Sequence, residues 1–186
     1  MIMAEVIIAG LILSLATGGS LRNLAGESLK GEWALLLLLP AQLLWPKAAA
    51  HLDLECALSI IIWLLMMSGL AAVLMTNASR RWMLGFAALG IAANILVIGL
   101  NQAMPVDIRA ASEIGATRVV ARESLADDCL HEELTESTRL PMLADVIAAP
   151  GPSWQRGVLS LGDTLLALGL AAWVFAASRT PRSDRI

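Results

Sequence analysis

Charge is scarce in this chain. Only 16% of its 186 residues are Asp, Glu, Lys or Arg, where a soluble domain carries about a quarter. The shortage is gathered into long uncharged blocks separated by short charged punctuation, which is the pattern of a membrane protein. A mean hydropathy of +0.72 agrees with it. Basic runs are missing too: the net charge is −3, so no electrostatic footprint for nucleic acid is present. Cysteine is limited to Cys56 and Cys129, with no CxxC and no histidine at ligand spacing, so no metal site is expected. There is no HExxH, no GxSxG, no phosphate-binding glycine loop, and no series of intramembrane acids like those of proton pumps. Enzyme status is therefore unsupported, and no cofactor can be named.

What is present reads as one all-α integral membrane domain over residues 1–186. Five apolar blocks predict helices over about 2–21, 32–50, 56–78, 82–102 and 158–178, with a long, partly helical segment 103–157 between the last two. A span needs roughly 20 residues to cross about 30 Å of hydrocarbon. The second block is the weak one, because its uncharged part, Trp33 to Pro46, is short and holds Pro40. Spanning and re-entrant readings of it both stand, with Ala48 to Ala50 and snorkelling of Glu32 and Lys47 favouring the former.

Charge arbitrates the orientation. With five spans, Arg22, Lys30, Arg80, Arg81 and the tail arginines 179, 182 and 185 share one side. The other side receives Lys47 and a long segment with nine carboxylates against five arginines. Short basic loops belong in the cytoplasm, so the expectation is a multi-pass membrane protein, N-terminus outside and C-terminus inside. Trp33, Trp45, Trp82 and Trp154 fall near predicted span ends, where an indole prefers to sit; Trp63 lies mid-span and is expected to pack. The first block lacks the basic flank of a secretory signal and carries Glu5 instead, so a retained helix is expected.

Within the outer segment, Asp107 can cap a short helix over "IRAASEIG", with Gly115 as its left-handed stop. Ile108, Ala111 and Ile114 recur at helical spacing and suit the membrane surface. The stretch "LPMLADVIAAPGP" is apolar but broken by prolines 141, 150 and 152, and is expected to cover the outer ends of the helices. If both cysteines face the oxidising side, a disulfide tying the segment to the third helix is one reading and two idle thiols the other.

Asn101, Met104-Pro105-Val106, Thr138-Arg139-Leu140, Asp145-Val146-Ile147 and Leu161-Gly162-Asp163 together resemble a family of small bacterial membrane proteins, a domain of unknown function. Gly18-Gly19-Ser20-Leu21 resembles its first loop. That family's elements read Asn-Gly-Gly-x-Met-Pro-Val, Gly-Asp-Val-Ile and Ser-x-Gly-Asp. Gln102-Ala103 stands where it has two glycines and Ala144 where it has one, which removes the freedom that a close backbone approach there would use. The resemblance implies a location in the bacterial cytoplasmic membrane and brings no activity.

The candidate polar cluster is Asn94, Asn101, Asp145, Ser160, Asp163 and Arg139. Asn94 and Asn101 are seven residues apart on one face, and Ser160, Asp163 and Thr164 share a face of the last helix. An ionisable group in a span costs on the order of several kcal/mol unless paired or wet, so Asp163 must meet protein or water. Its expected partners are Arg139 first, then Asn101 or Asn94. One reading makes these residues clamps that cap helices and pin the loop; the other makes them a ligand pocket under a lid. His131 beside Glu132-Glu133 is read as a solvated helix face, and His51 as an interface residue. The leading functional expectation is a non-enzymatic accessory or scaffold protein binding a membrane-protein partner or lipid at its outer face. The alternative is an enzyme or carrier for a lipophilic small molecule, with a transporter third.

Overall fold

Long uncharged runs end where charge or a left-handed residue stops them, and the helices follow. The computed structural model describes residues 2–115, 129–152 and 156–180. The main helices are α1 (Ile2–Ala16), α2 (Leu21–Ala25), α3 (Glu32–His51), α4 (Cys56–Ala78) and α5 (Trp82–Asn101). Strand β1 (Met104–Val106) and helix α6 (Ile108–Glu113) follow, then β2 (His131–Glu133) and a 3-10 turn at Pro141–Leu143. Strands β3 (Ile147–Ala149) and β4 (Gly157–Leu159) lead into the last helix, α7 (Leu161–Arg179).

Four helices, α3, α4, α5 and α7, are long and apolar enough to cross a membrane. Pro40 and Pro46 sit inside α3 without breaking it, so the second block is a continuous helix of 20 residues. The first block differs from expectation. Its helix stops at Ala16, giving about 22 Å of rise rather than a run to residue 21. The chain turns through Gly18 at φ 98°, and Ser20 then caps the separate helix α2 by accepting from Arg22 N. The start of the fifth block is likewise strand β4, so α7 begins at Leu161 rather than 158.

The neighbour order is α3–α4–α5–α7–α1. One core forms where Met67, Leu70 and Leu74 of α4 meet Leu84, Ala87, Ala88 and Ile91 of α5, flanked by Trp63 and Trp173. A second lies beneath the segment between α5 and α7, with Ile60, Val97, Ile98, Met104 and Leu130. Contact between α5 and α7 is close enough for backbones to touch. A Cβ built on Gly162 would stand 2.6 Å from Gly90 O, and one on Gly169 2.6 Å from Ala87 N. Gly10 of α1 makes a similar approach to Ala171, at 2.9 Å from its carbonyl oxygen. Small residues of this kind let helices associate where lipid supplies no hydrophobic drive.

Polar staples define two ends of the bundle. At one end Ser14 and Ser178 hydroxyls lie 2.5 Å apart, Ser20 N donates to Ser178 O at 2.7 Å, and Arg179 donates to Thr17. There too Asn77 of α4 exchanges two bonds with the backbone of Lys30, and Arg81 pairs with Glu27. At the opposite end Trp45 donates to Ser59, and Cys56 is bonded to Cys129. Of the two cysteine readings, the disulfide is the observed one.

The segment after α5 is not all helix. β1 pairs in parallel with β2, in the register Met104↔His131 to Val106↔Glu133, and Asp145 bridges to Val106 on the other side. β3 and β4 pair antiparallel. Three-residue strands carry too short a period to read from a sequence, which is why the sequence predicts only that this segment, the cap, is partly helical. His131 is accordingly on a strand and half-buried, a correction to the solvated helix face. Helix α6 forms as expected: Asp107 accepts from Arg109 N and Ala110 N, and Gly115 takes φ 65°. Trp33 and Trp82 are exposed near helix starts, whereas Trp154 and the tail arginines 182 and 185 lie outside the described residues.

Candidate functional site at the cap–bundle junction

The residues singled out from sequence gather where the cap meets α5 and α7, but they form separate arrangements. The first is built on the start of α7. Ser160 is fully buried and accepts from Asp163 N at 2.8 Å, while the Asp163 carboxylate faces Ser160 N, a reciprocal capping box. That pair is then locked to α5. Asn94, buried at 3% exposure, donates to Asp163 Oδ1 at 2.8 Å and accepts from Ser160 Oγ at 2.9 Å. A capping box satisfies the free N–H groups of a helix start, and here it doubles as the joint between two helices.

The second arrangement is built on the end of α5. Asn101 Nδ2 donates to Val97 O at 2.8 Å and Arg139 O at 2.9 Å, and its Oδ1 accepts from Arg139 N at 2.8 Å. One amide thus grips both sides of a loop peptide. Arg139 joins through its backbone, and the residue is exposed. The expected Arg139–Asp163 pairing is therefore corrected: the partners of Asp163 are Asn94 and Ser160. An amide fits the geometry because it offers donor and acceptor together, which a carboxylate and a guanidinium do not.

Gln102 follows in the left-handed conformation, φ 65°, and its N–H closes α5 on Ile98 O. Ala103, Met104, Pro105 and Val106 are buried behind it. The amides and the proline of "NQAMP" thus end a long helix, grip the loop and start a buried strand. Ala144 accommodates its fully buried position at φ −70°, so nothing there calls for glycine.

Asp145 is the third arrangement. Its backbone is tied to β1 from both sides: Asp145 N donates to Pro105 O and Asp107 N donates to Asp145 O, each at 2.9 Å. The side chain is buried at 8% exposure, and Oδ1 has no hydrogen-bond partner. Burial pushes this carboxyl up to about 7, the charge of Asp163 adds to the push, and His131 opposes it. Glu132 is also held above its ordinary value, by desolvation. His131 is the residue that sequence reading undervalued. Only the strand pairing, 27 positions from Met104, brings it towards Asp145. Among the described residues no group of three or more His, Cys, Asp or Glu could hold a metal ion.

Residues 27–175 match the model of a family of unknown function, DUF5317, and the chain belongs to that family. No curated protein and no solved structure matches it.

Proposed function

We propose that this family member is a non-enzymatic accessory or scaffold protein of the bacterial cytoplasmic membrane. It crosses the membrane five times, with its N-terminus and residues 103–157 outside. Its cap is the platform that engages lipid or a partner membrane protein. The observation that carries this reading is the state of the polar cluster. Asn94, Asn101, Ser160 and Asp163 direct their side chains at one another or at backbone, as clamps do. A reacting site needs groups left available to a substrate, and of the six candidates Asp145 alone has a buried side-chain oxygen without a partner.

The topology has its own support. α1 is shorter than a full span, yet it runs from Gly157 of β4, which faces Ile2, along α7 to Ser178, which faces Ser14. Arg22, Lys30, Arg80, Arg81 and Arg179 lie at the end opposite the cap, as short cytoplasmic loops require. The disulfide sits at the cap end, which suits an oxidising compartment. Both cysteines are bonded, so an introduced thiol reports cleanly: a membrane-impermeant thiol reagent on whole cells should label Ser137→Cys and leave Ser28→Cys unlabelled. Labelling of Ser28→Cys alone would invert the orientation.

The rival, a carrier or enzyme for a lipophilic molecule, draws on the unpartnered oxygen of Asp145. Native mass spectrometry of the gently extracted protein separates the two. A protein or lipid retained by the wild type, and still retained by Asp163→Asn, supports the scaffold. A small molecule lost in Asp163→Asn and in Asn101→Ala overturns it.

A further inference from the structure

One group in the cap is left over once the clamps are accounted for. Asp145 sits at the joint between cap and bundle, with its backbone held in the cap by Pro105 and Asp107 and its buried side chain within the electrostatic reach of Asp163 of α7 and His131 of β2. Oδ1 is closed off from solvent and receives no donor. A buried carboxylate oxygen without a donor is strongly disfavoured when ionised, and more so beside a second carboxylate. An occupant of that oxygen must be very small, because the position is already enclosed by protein. A proton needs no cavity. It removes the charge, and it turns an orphaned acceptor into a hydroxyl that can donate.

We propose that Asp145 is a proton-binding site that acts as a latch, seating the cap on the bundle when protonated and loosening it when ionised. The surrounding charges set its sense. Asp163 resists ionisation of Asp145, and protonated His131 would favour it. The other titratable groups nearby are engaged or turned away. Asp107 caps α6, Arg156 donates from Nε to Gly151 O, Arg139 is exposed, and Glu132 on β2 is raised above its ordinary value by desolvation. The latch lies in the range where extracellular pH varies, so the cap would respond to acidification outside the cell by tightening. This holds whatever docks on the cap, and it fails separately from the scaffold reading.

Infrared difference spectroscopy of the purified full chain tests the site. A protonated-carboxyl band that disappears on titration through about pH 7, and is missing from Asp145→Asn, is the expected result. In Asp163→Asn the same band should titrate at lower pH, because the neighbouring charge is gone. Cleavage by trypsin after Arg139, in the exposed loop of the cap, tests the latch. At about pH 8 the wild type should be cut several-fold faster than Asp145→Asn, and at about pH 6 the two should be cut alike. No carboxyl band titrating between about pH 6 and 8 would overturn the proton site. Equal cleavage of wild type and Asp145→Asn at both pH values would overturn the latch. If Asp145→Asn does not fold, the wild-type band and its shift in Asp163→Asn still decide the question.

Discussion

Gly162→Ala is the substitution that bears most directly on the joint between α5 and α7. The added methyl would collide with Asn94 Oδ1 and stand 2.6 Å from Gly90 O, so the side chain and the facing backbone must both give way. Overpacking of a tight site costs about 1–3 kcal/mol. Displacing Asn94 weakens its bonds to Asp163 and Ser160, and interhelical hydrogen bonds in membranes are worth about 0.6 kcal/mol each, reaching about 1.7. Better helix propensity returns at most about 1 kcal/mol. The net expectation is a loss of about 2–4 kcal/mol. Equilibrium unfolding in mixed detergent micelles measures it, with Gly99→Ala as the control. No atom lies within 4 Å of a Cβ at Gly99, so that variant should be neutral or up to about 1 kcal/mol more stable. Adding Asn94→Ala to Gly162→Ala should relieve only part of the strain, because the carbonyl of Gly90 remains. A Gly162→Ala protein within about 0.5 kcal/mol of wild type would refute the contact between the helices and, with it, the clamp.

Cys56→Ser should cost about 4 kcal/mol on a loop-closure basis, since the disulfide spans a sequence separation of 73, and a reductant added to the wild type should reproduce the shift in melting. Asn101→Ala removes three bonds at the end of α5 and should cost about 1–3 kcal/mol, with faster hydrogen exchange in residues 138–144 as its local mark. Gln102→Gly relieves a left-handed side chain and should raise stability by up to about 1 kcal/mol in thermal melts, whereas Gln102→Ala should not. For Asp145 the folded carboxyl titrates at about 7 against 3.8 as the reference, so the folded state holds the proton more tightly. Stability from this group is full below the lower value and is lost as pH rises to the higher one, a span worth on the order of 4 kcal/mol. Comparing unfolding of wild type and Asp145→Asn across that range isolates it from the other carboxylates, and parallel pH curves would contradict it.

Much of the architecture follows from local chemistry. The uncharged runs before Arg80-Arg81 and after Trp82 can only be helices if lipid is the solvent, because every backbone polar group must then be satisfied within the segment. Asp107 and Gly115 mark the ends of α6 by the same local logic, and the helical spacing of Asn94 to Asn101 places both on one face of α5. The apolar character, the four long helices and the separation of the polar residues from the basic end were thus legible from composition and period.

Other features depend on residues far apart in the chain. Asp163 carries no local mark that chooses among Arg139, Asn101 and Asn94, the three partners its sequence context offers. Asn94 wins over Arg139 because the glycines at 90 and 162 bring α5 and α7 into backbone contact, leaving an amide within reach and the guanidinium outside. The cap strands are three residues long, and β1 pairs with β2 across 27 positions, so neither period nor turn chemistry announces them. The disulfide needed the cap to fold over α4, bringing the two Cα atoms to 5.1 Å. Most of all, the acidity of Asp145 is a property of its burial and of two neighbours on other elements. The sequence determined which segments leave water and which residue types stand at their ends. Tertiary structure alone decided which polar groups satisfy one another and which one is left without a partner, because that depends on distances that no local pattern encodes.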